Sequence, residues 1–221
     1  MSKKQRSARA ATLGLMDYGR CDGIVLAAGA GTRYGRPKVL VDDGAWLRGA
    51  ICALHDGGCE RVWVVLGATG PARRGRSGQW LVCDTPEIAI PEGVQWVWAP
   101  DWAVGLAASL RAGLTGVAAA PDPARFVAIM PVDTPDVRSD VVARVLAAGR
   151  AAASGLSRAV FEDRPGHPVV LAARHWDAVI ASARGNSGAK GFLDGRPDIV
   201  AVPCDDLATG RDHDYPPTRA R

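Results

Sequence analysis

The stretch IVLAAGAGTRYGRPKVL, residues 24–40, decides how this chain is read. It opens as an apolar strand, passes through Gly29, Gly31 and Gly35, and closes on Pro37 and Lys38. Glycines permit positive φ and bring bare N–H groups close to an anion. Arg33 and Lys38 add two positive charges, and Pro37 fixes the backbone just before Lys38. Such a loop suits a polyphosphate. The spacing G-x-G-x-x-x-G is one residue too long for the dinucleotide fingerprint, and no acidic residue closes the second strand at Gly67. A P-loop is excluded too, because Val39 follows Lys38 where Ser or Thr is required.

Outward from this loop, short β-rich runs alternate with helical stretches. Strands are expected at 23–28, 61–67, 80–84, 94–99, 125–133, 157–162, 167–173 and 198–204. Helices are expected at 45–59, 103–120, 139–153 (with Ser139 as N-cap), 174–184 and 188–194. Near-continuous apolar strands flanked by helices predict an α/β fold with a mostly parallel central sheet covered on both faces. The expected organisation is a flexible basic tail over 1–21 and a single domain over 22–221. In such sheets ligands bind beyond the carboxyl ends of the strands, near a switch in strand order. Asp133 ends the apolar run FVAIMPVD, which puts a carboxylate at the same sheet edge as the glycine loop.

Bulk properties narrow the function classes. A 48% hydrophobic share and 23% charged share over 221 residues fit an ordinary globular protein. No apolar run approaches the roughly 20 residues that span a bilayer, and the amino terminus has no apolar core of a secretory signal. Lys3, Lys4, Arg6, Arg9 and Arg20 against Asp17 account for the whole net charge of +4. The basic balance therefore belongs to the tail and is no footprint of nucleic-acid binding. Arg73, Arg74 and Arg76 read as a solvated loop. The five cysteines are odd in number and none stand as C-x-x-C, which argues against a disulfide framework and a zinc site. Cytoplasmic residence is the expectation.

The run LAAGAGTRYGRPK closely resembles the signature L-A-A-G-x-G-x-R-x-G-x-P-K of nucleotidyltransferases. More specifically it resembles the MobA-like family, which contains the molybdenum-cofactor cytidylyl- and guanylyltransferases. DWAVGLAASLRAGL (101–114), PVDTP (131–135), RPGHPVVL (164–171), GNSGAKGFL (185–193) and DDLATGRDHDYP (205–216) resemble further segments of that family. The resemblance implies a Rossmann-like three-layer α/β/α sandwich in which the glycine loop wraps a triphosphate. It departs at Tyr34, where the family has methionine, and at Asn186, Lys190 and Tyr215, where an acid, arginine and threonine are common.

The chemistry implied is attack by a phosphorylated acceptor on the α-phosphorus of a nucleoside triphosphate, with pyrophosphate leaving. Alignment and charge neutralisation carry such a reaction, so it needs cations and a metal rather than a Ser-His-Asp set. Arg33, Lys38 and Asp133 are the candidate catalytic residues. Asp133 is placed to hold Mg²⁺, with a second carboxylate from Asp212 or Asp214; the family pattern selects Asp214. By resemblance, Leu26, Ala27, Ala28, Gly29, Gly31, Thr32, Gly105 and Ser109 bind the nucleotide, with Trp102 near it. His167, Asn186 and Lys190 are assigned by resemblance to the acceptor. The Ala28 methyl crowds a purine more than a pyrimidine, which favours CTP over GTP. Molybdopterin, or the molybdenum cofactor, is the implied acceptor and a molybdenum enzyme the implied client. The alternatives are a sugar- or polyol-phosphate nucleotidyltransferase and a non-catalytic chaperone that inserts the molybdenum cofactor.

Overall fold

A computed structural model of the chain describes residues 19–69, 72–74, 80–82 and 88–216. The tail expected over 1–21 lies outside them apart from its last three residues, as do Arg76, Cys83 and the end after Pro216. The first strand begins at Cys21, inside that expected tail.

Nine strands are described. They are β1 (Cys21–Leu26), β2 (Arg61–Leu66), β3 (Ala72–Arg74), β4 (Trp80–Val82), β5 (Gln95–Trp98), β6 (Phe126–Pro131), β7 (Leu156–Phe161), β8 (Arg164–Ala172) and β9 (Val200–Pro203). Seven form the central sheet in the order β5-β2-β1-β6-β8-β7-β9. Five helices follow the chain: α1 (Ala45–Asp56), α2 (Leu106–Ala118), α3 (Ser139–Ala151), α4 (Trp176–Ser182) and α5 (Lys190–Leu193). All strand pairs of the sheet are parallel except those of β8, which runs against both β6 and β7.

The expected mostly parallel sheet is present, with three differences of detail. β4, expected in the sheet, pairs only with β3 in a separate two-stranded ribbon, so Arg73 and Arg74 lie on a short strand rather than a loop. β7 and β8 form a tight hairpin through Glu162 and Asp163, both at positive φ (48° and 59°). Positive φ at both central residues marks the turn that matches strand twist, here made without the usual glycine. Ser139 is the first residue of α3 and not its cap: Arg138 holds the cap position and makes no side-chain capping bond.

Alternation along β1 sends successive side chains to opposite faces. Val25 packs with Leu47, Ile51 and Leu54 of α1 and with Val145 and Leu146 of α3. Ile24 and Leu26 pack on the other face with Leu110 and Leu114 of α2 and Val179 of α4. α2 approaches closely because it carries glycines: a Cβ at Gly113 would come 2.9 Å from Val65 and one at Gly116 2.7 Å from Val97. The strand order reverses between β1 and β6, and the chain after each strand leaves at that same edge. The last described segment, 205–214, returns as an extended strap to this edge, where the His213 N–H donates to the Asp133 carbonyl at 3.1 Å.

The opposite end of β1 is closed by a buried carboxylate. Asp22 is 0% exposed and accepts from Arg20 Nε (3.2 Å), Arg61 Nε (3.0 Å) and Trp63 Nε1 (3.0 Å), with Arg61 Nη2 in ion-pair contact at 2.9 Å. Removing one partner of a buried pair strands the others without compensation. Asp22→Ala should therefore destabilise the fold by about 3 kcal/mol, the low end for such a break because Arg61 keeps partial access to water. A urea titration with unchanged slope and a lowered midpoint would show it; an unmoved midpoint would mean that the two arginines find water instead.

Candidate active site

β1 delivers the glycine loop to the switch point. Its pairing runs on past the strand: Ala27 N–H donates to Val65 O, Ala68 N–H to Ala28 O and Val132 N–H to Leu26 O, at 3.0, 3.0 and 3.2 Å. Gly31 then turns at φ 62°, and a Cβ there would lie 1.9 Å from the Arg36 carbonyl oxygen, so only glycine fits. Gly35 also takes positive φ and its N–H donates to Gly31 O at 2.8 Å. Gly29 is not at positive φ; the space where its side chain would stand is open.

Lys38 begins the short 3₁₀ segment after Pro37, and its ammonium is clasped from two sides. Nζ donates to Asp133 Oδ2 at 2.6 Å and to Asp214 Oδ1 at 2.9 Å. Asp214 Oδ2 pairs with Arg33 Nη1 at 2.7 Å, although Arg33 is 64% exposed. Burial disfavours the Lys38 ammonium, but the bonds to Asp133 and Asp214 outweigh it and raise its pKa above the ordinary lysine value. The Asp214 carboxyl is held below the usual carboxylate range, first by the Lys38 hydrogen bond and then by the charges of Lys38 and Arg33.

A cleft of about 620 Å³ opens in front of this clasp. Its floor is the loop, with Leu26, Ala27, Ala28, Gly29, Gly31 and Thr32. Trp102, Gly105 and Ser109 form one wall. Gly105 sits at φ 132°, and a Cβ there would meet Asn186 Oδ1 at 2.6 Å. That close approach brings the loop bearing Asn186 to the cleft. Asp133, His167, Asp212 and Asp214 face it from the opposite side. Burial lowers the His167 pKa, against the Ile129 carbonyl that lies 3.4 Å from Nδ1, so the imidazole is neutral at pH 7.

The structure thus brings the sequence-derived candidates together, Lys190 excepted. Lys190 is exposed at the start of α5 and is not among the cleft's lining residues. Trp46, His213 and Asp136 were not read from the sequence. Tyr34 and Trp46 stand edge to face at 5.6 Å, and Trp46 and His213 at 5.4 Å, which ties loop, α1 and strap together. Asp136 accepts three hydrogen bonds from the strap.

Residues 23–201 match the model of the MobA-like NTP transferase domain. The chain belongs to the MobA-like NTP transferase family. It is thereby a nucleotidyltransferase, of a metal-dependent family that binds a nucleoside triphosphate and a phosphorylated acceptor. Nicotine blue oxidoreductase of Paenarthrobacter nicotinovorans is 32% identical over 203 residues, covering 87% of this chain and 91% of that one. Rv0371c of Mycobacterium tuberculosis H37Rv shares the fold at a TM-score of 0.67 and 24% identity, over 89% of this chain and 93% of that one. A second structure of that protein is a complex with manganese. Molybdopterin-guanine dinucleotide biosynthesis protein A of Archaeoglobus fulgidus shares the fold at 0.53 and 16% identity, over 84% and 85% of the two chains. Among the described residues, no helix is long and apolar enough to cross a membrane.

The clasp has a defined pH window. Asp214, its pKa lowered by folding, contributes stability above the ordinary carboxylate range and loses it as pH falls through its folded value. Lys38, raised by folding, contributes below the ordinary lysine value and loses it as pH rises through its folded one. Lys38→Met should move the Asp214 titration upward, followed by the carboxyl carbon shift across a pH series. An unmoved titration would mean that Arg33 alone holds Asp214.

Proposed function

We propose that the protein transfers CMP from CTP to a phosphorylated acceptor, molybdopterin, with release of pyrophosphate in the cytoplasm. The observation that carries this reading is the Lys38 ammonium between Asp133 and Asp214, facing the glycine loop at the switch point. An acceptor phosphate oxygen forms the new bond to the α-phosphorus, and the bond to the β-phosphate oxygen breaks. The acceptor oxygen is already ionised, so the site needs no strong base. Arg33 and Lys38 meet the charge that develops on the leaving pyrophosphate, and the loop N–H groups hold its oxygens.

Asp133 and Asp214 fit a divalent cation. Both reach a single Nζ within 2.9 Å, so their oxygens converge on one point, and Mg²⁺ takes one or two carboxylates while keeping its waters. Bound there, Mg²⁺ would cancel phosphate charge during transfer. The two residues would hold it, and Lys38, no longer needed between them, would be free to meet the phosphates. Ala28, buried in the floor with its methyl, supports a pyrimidine over a purine. His167 and Asn186, both lining the cleft, bind the acceptor. The neutral imidazole donates or accepts without adding charge.

One observation favours a second reading. The relative at 32% identity is named an oxidoreductase, and it is covered almost end to end. On this reading the loop would hold the pyrophosphate of a redox dinucleotide, and the cleft would take a heteroaromatic compound. A single assay separates the two. Pyrophosphate release should occur with molybdopterin and CTP, with GTP at least tenfold weaker in binding, about 1.4 kcal/mol. Tighter GTP binding overturns the CTP preference, and reduced nicotinamide consumption with no pyrophosphate release overturns the transferase.

A further inference from the structure

Asp214 reaches the site from the far end of the chain, and something must hold it there. Between Thr209 and His213 the strap is hydrogen-bonded to the segment after β6 at two places. At the nearer point His213 N–H donates to the Asp133 carbonyl at 3.1 Å. At the farther point Asp136, on the turn after β6, takes three donors on one oxygen. Asp136 Oδ2 accepts from Thr209 N–H at 2.7 Å, Thr209 Oγ1 at 2.6 Å and Gly210 N–H at 3.2 Å. Its Oδ1 is buried with no hydrogen-bond partner. Gly210 takes φ 61° and lies against the Phe161 ring, where a Cβ would come 2.1 Å from Cδ2. The strap is therefore turned at Gly210 and cannot slide along the edge while that turn stays on Asp136. Upstream, Leu207 and Ala208 pack against the core and Asp205 accepts from the Glu162 N–H, while the exposed Arg144–Asp206 pair contributes little; these fix the strap up to residue 208, and Asp136 holds the two residues that follow.

We propose that Asp136 is a positioning residue which pins the strap, so that Asp214 stands at the Lys38–Arg33 pair and completes the divalent-cation site. Its anionic form is the competent one. Burial disfavours that form, but the Thr209 and Gly210 bonds outweigh it and hold the carboxyl below its ordinary pKa. Asp136 touches neither nucleotide nor acceptor; it acts through Asp214. The kinetic part of the test rests on the transferase reading, and the binding part does not.

The experiment compares wild type, Asp136→Ala, Asp136→Asn, Asp214→Asn and the Asp136→Ala/Asp214→Asn double variant. Amide hydrogen exchange of 207–214 should accelerate in Asp136→Ala while β1 and α3 keep their protection, which shows that the fold survives. Mn²⁺ titrated alone, followed by electron paramagnetic resonance, should bind about tenfold more weakly, the loss ordinary for a group that orients a metal ligand. Asp136→Asn, which keeps one acceptor oxygen, should fall between. The double variant should bind Mn²⁺ no more weakly than Asp214→Asn, because both changes remove the same ligand. In CTP turnover, Asp136→Ala should raise the half-saturating Mg²⁺ concentration about tenfold and leave kcat at saturating Mg²⁺ nearly unchanged. Unchanged exchange of 207–214, no Mn²⁺ binding by wild type, or an equal loss of Mn²⁺ affinity in the Asp214→Asn background each overturns the proposal. Wild type that binds Mn²⁺ but turns over no CTP overturns the transferase reading and leaves the role of Asp136 standing.

Discussion

Lys38 lies between Asp133 and Asp214, and these residues come from three distant parts of the chain. The first follows β1, the second follows β6, and the third ends the strap. Only the adjacency of β1 and β6 in the sheet brings the first two within hydrogen-bond distance. The clasp is therefore a consequence of topology: the crevice between two neighbouring strands whose connections diverge is where an α/β sheet can gather side chains from separate segments. A half-buried ammonium with two carboxylate partners is held by its geometry, and loss of either leaves it on the other alone.

The rest of the cleft depends on small residues set against that clasp. Gly31 turns the loop where a side chain would strike the Arg36 carbonyl. Gly67 would strike the Ala28 carbonyl at 2.5 Å and Trp102 at 2.6 Å, so its lack of a side chain lets Trp102 stand over the end of β2. Gly113 and Gly116 let α2 sink onto the sheet, which sets Leu106 and Ser109 at the wall of the cleft. Packing at this density leaves little freedom for the elements to shift independently. The far half of the strap is the exception: Leu207 and Ala208 pack against the core, but beyond Gly210 its links are hydrogen bonds, ion pairs and one aromatic edge contact.

The fold was largely legible because its signals are local. Apolar runs of strand length, a glycine loop after the first of them and Asp133 at the end of another placed the site on one sheet edge before any contact was known. The parts that stayed hidden depend on long-range partners. β8 runs antiparallel through a Glu162–Asp163 turn, and two acids offer no glycine or asparagine to announce positive φ. Asp22 looks like a polar boundary to an apolar strand, and only the fold brings Arg20, Arg61 and Trp63 around it. Asp136 resembles any acid ahead of a helix; its partners lie about seventy residues on, and no spacing could reveal them. Lys190 shows the converse. Its place in a motif suggested the acceptor, but the residue is exposed at the start of α5 and does not line the cleft.

Charge sets what this cleft requires of a nucleoside triphosphate. The described cleft presents Arg33 and Lys38 as cations against the carboxylates of Asp133, Asp212 and Asp214. Both cations are already paired with Asp214. A triphosphate brought to this surface adds more negative charge than the two cations can cancel, at a place where the dielectric is lower than in water and repulsion is correspondingly stronger. It can enter only with added positive charge on the carboxylates. The metal dependence of the family follows from this charge balance: the carboxylates that clasp Lys38 repel a triphosphate until a cation covers them.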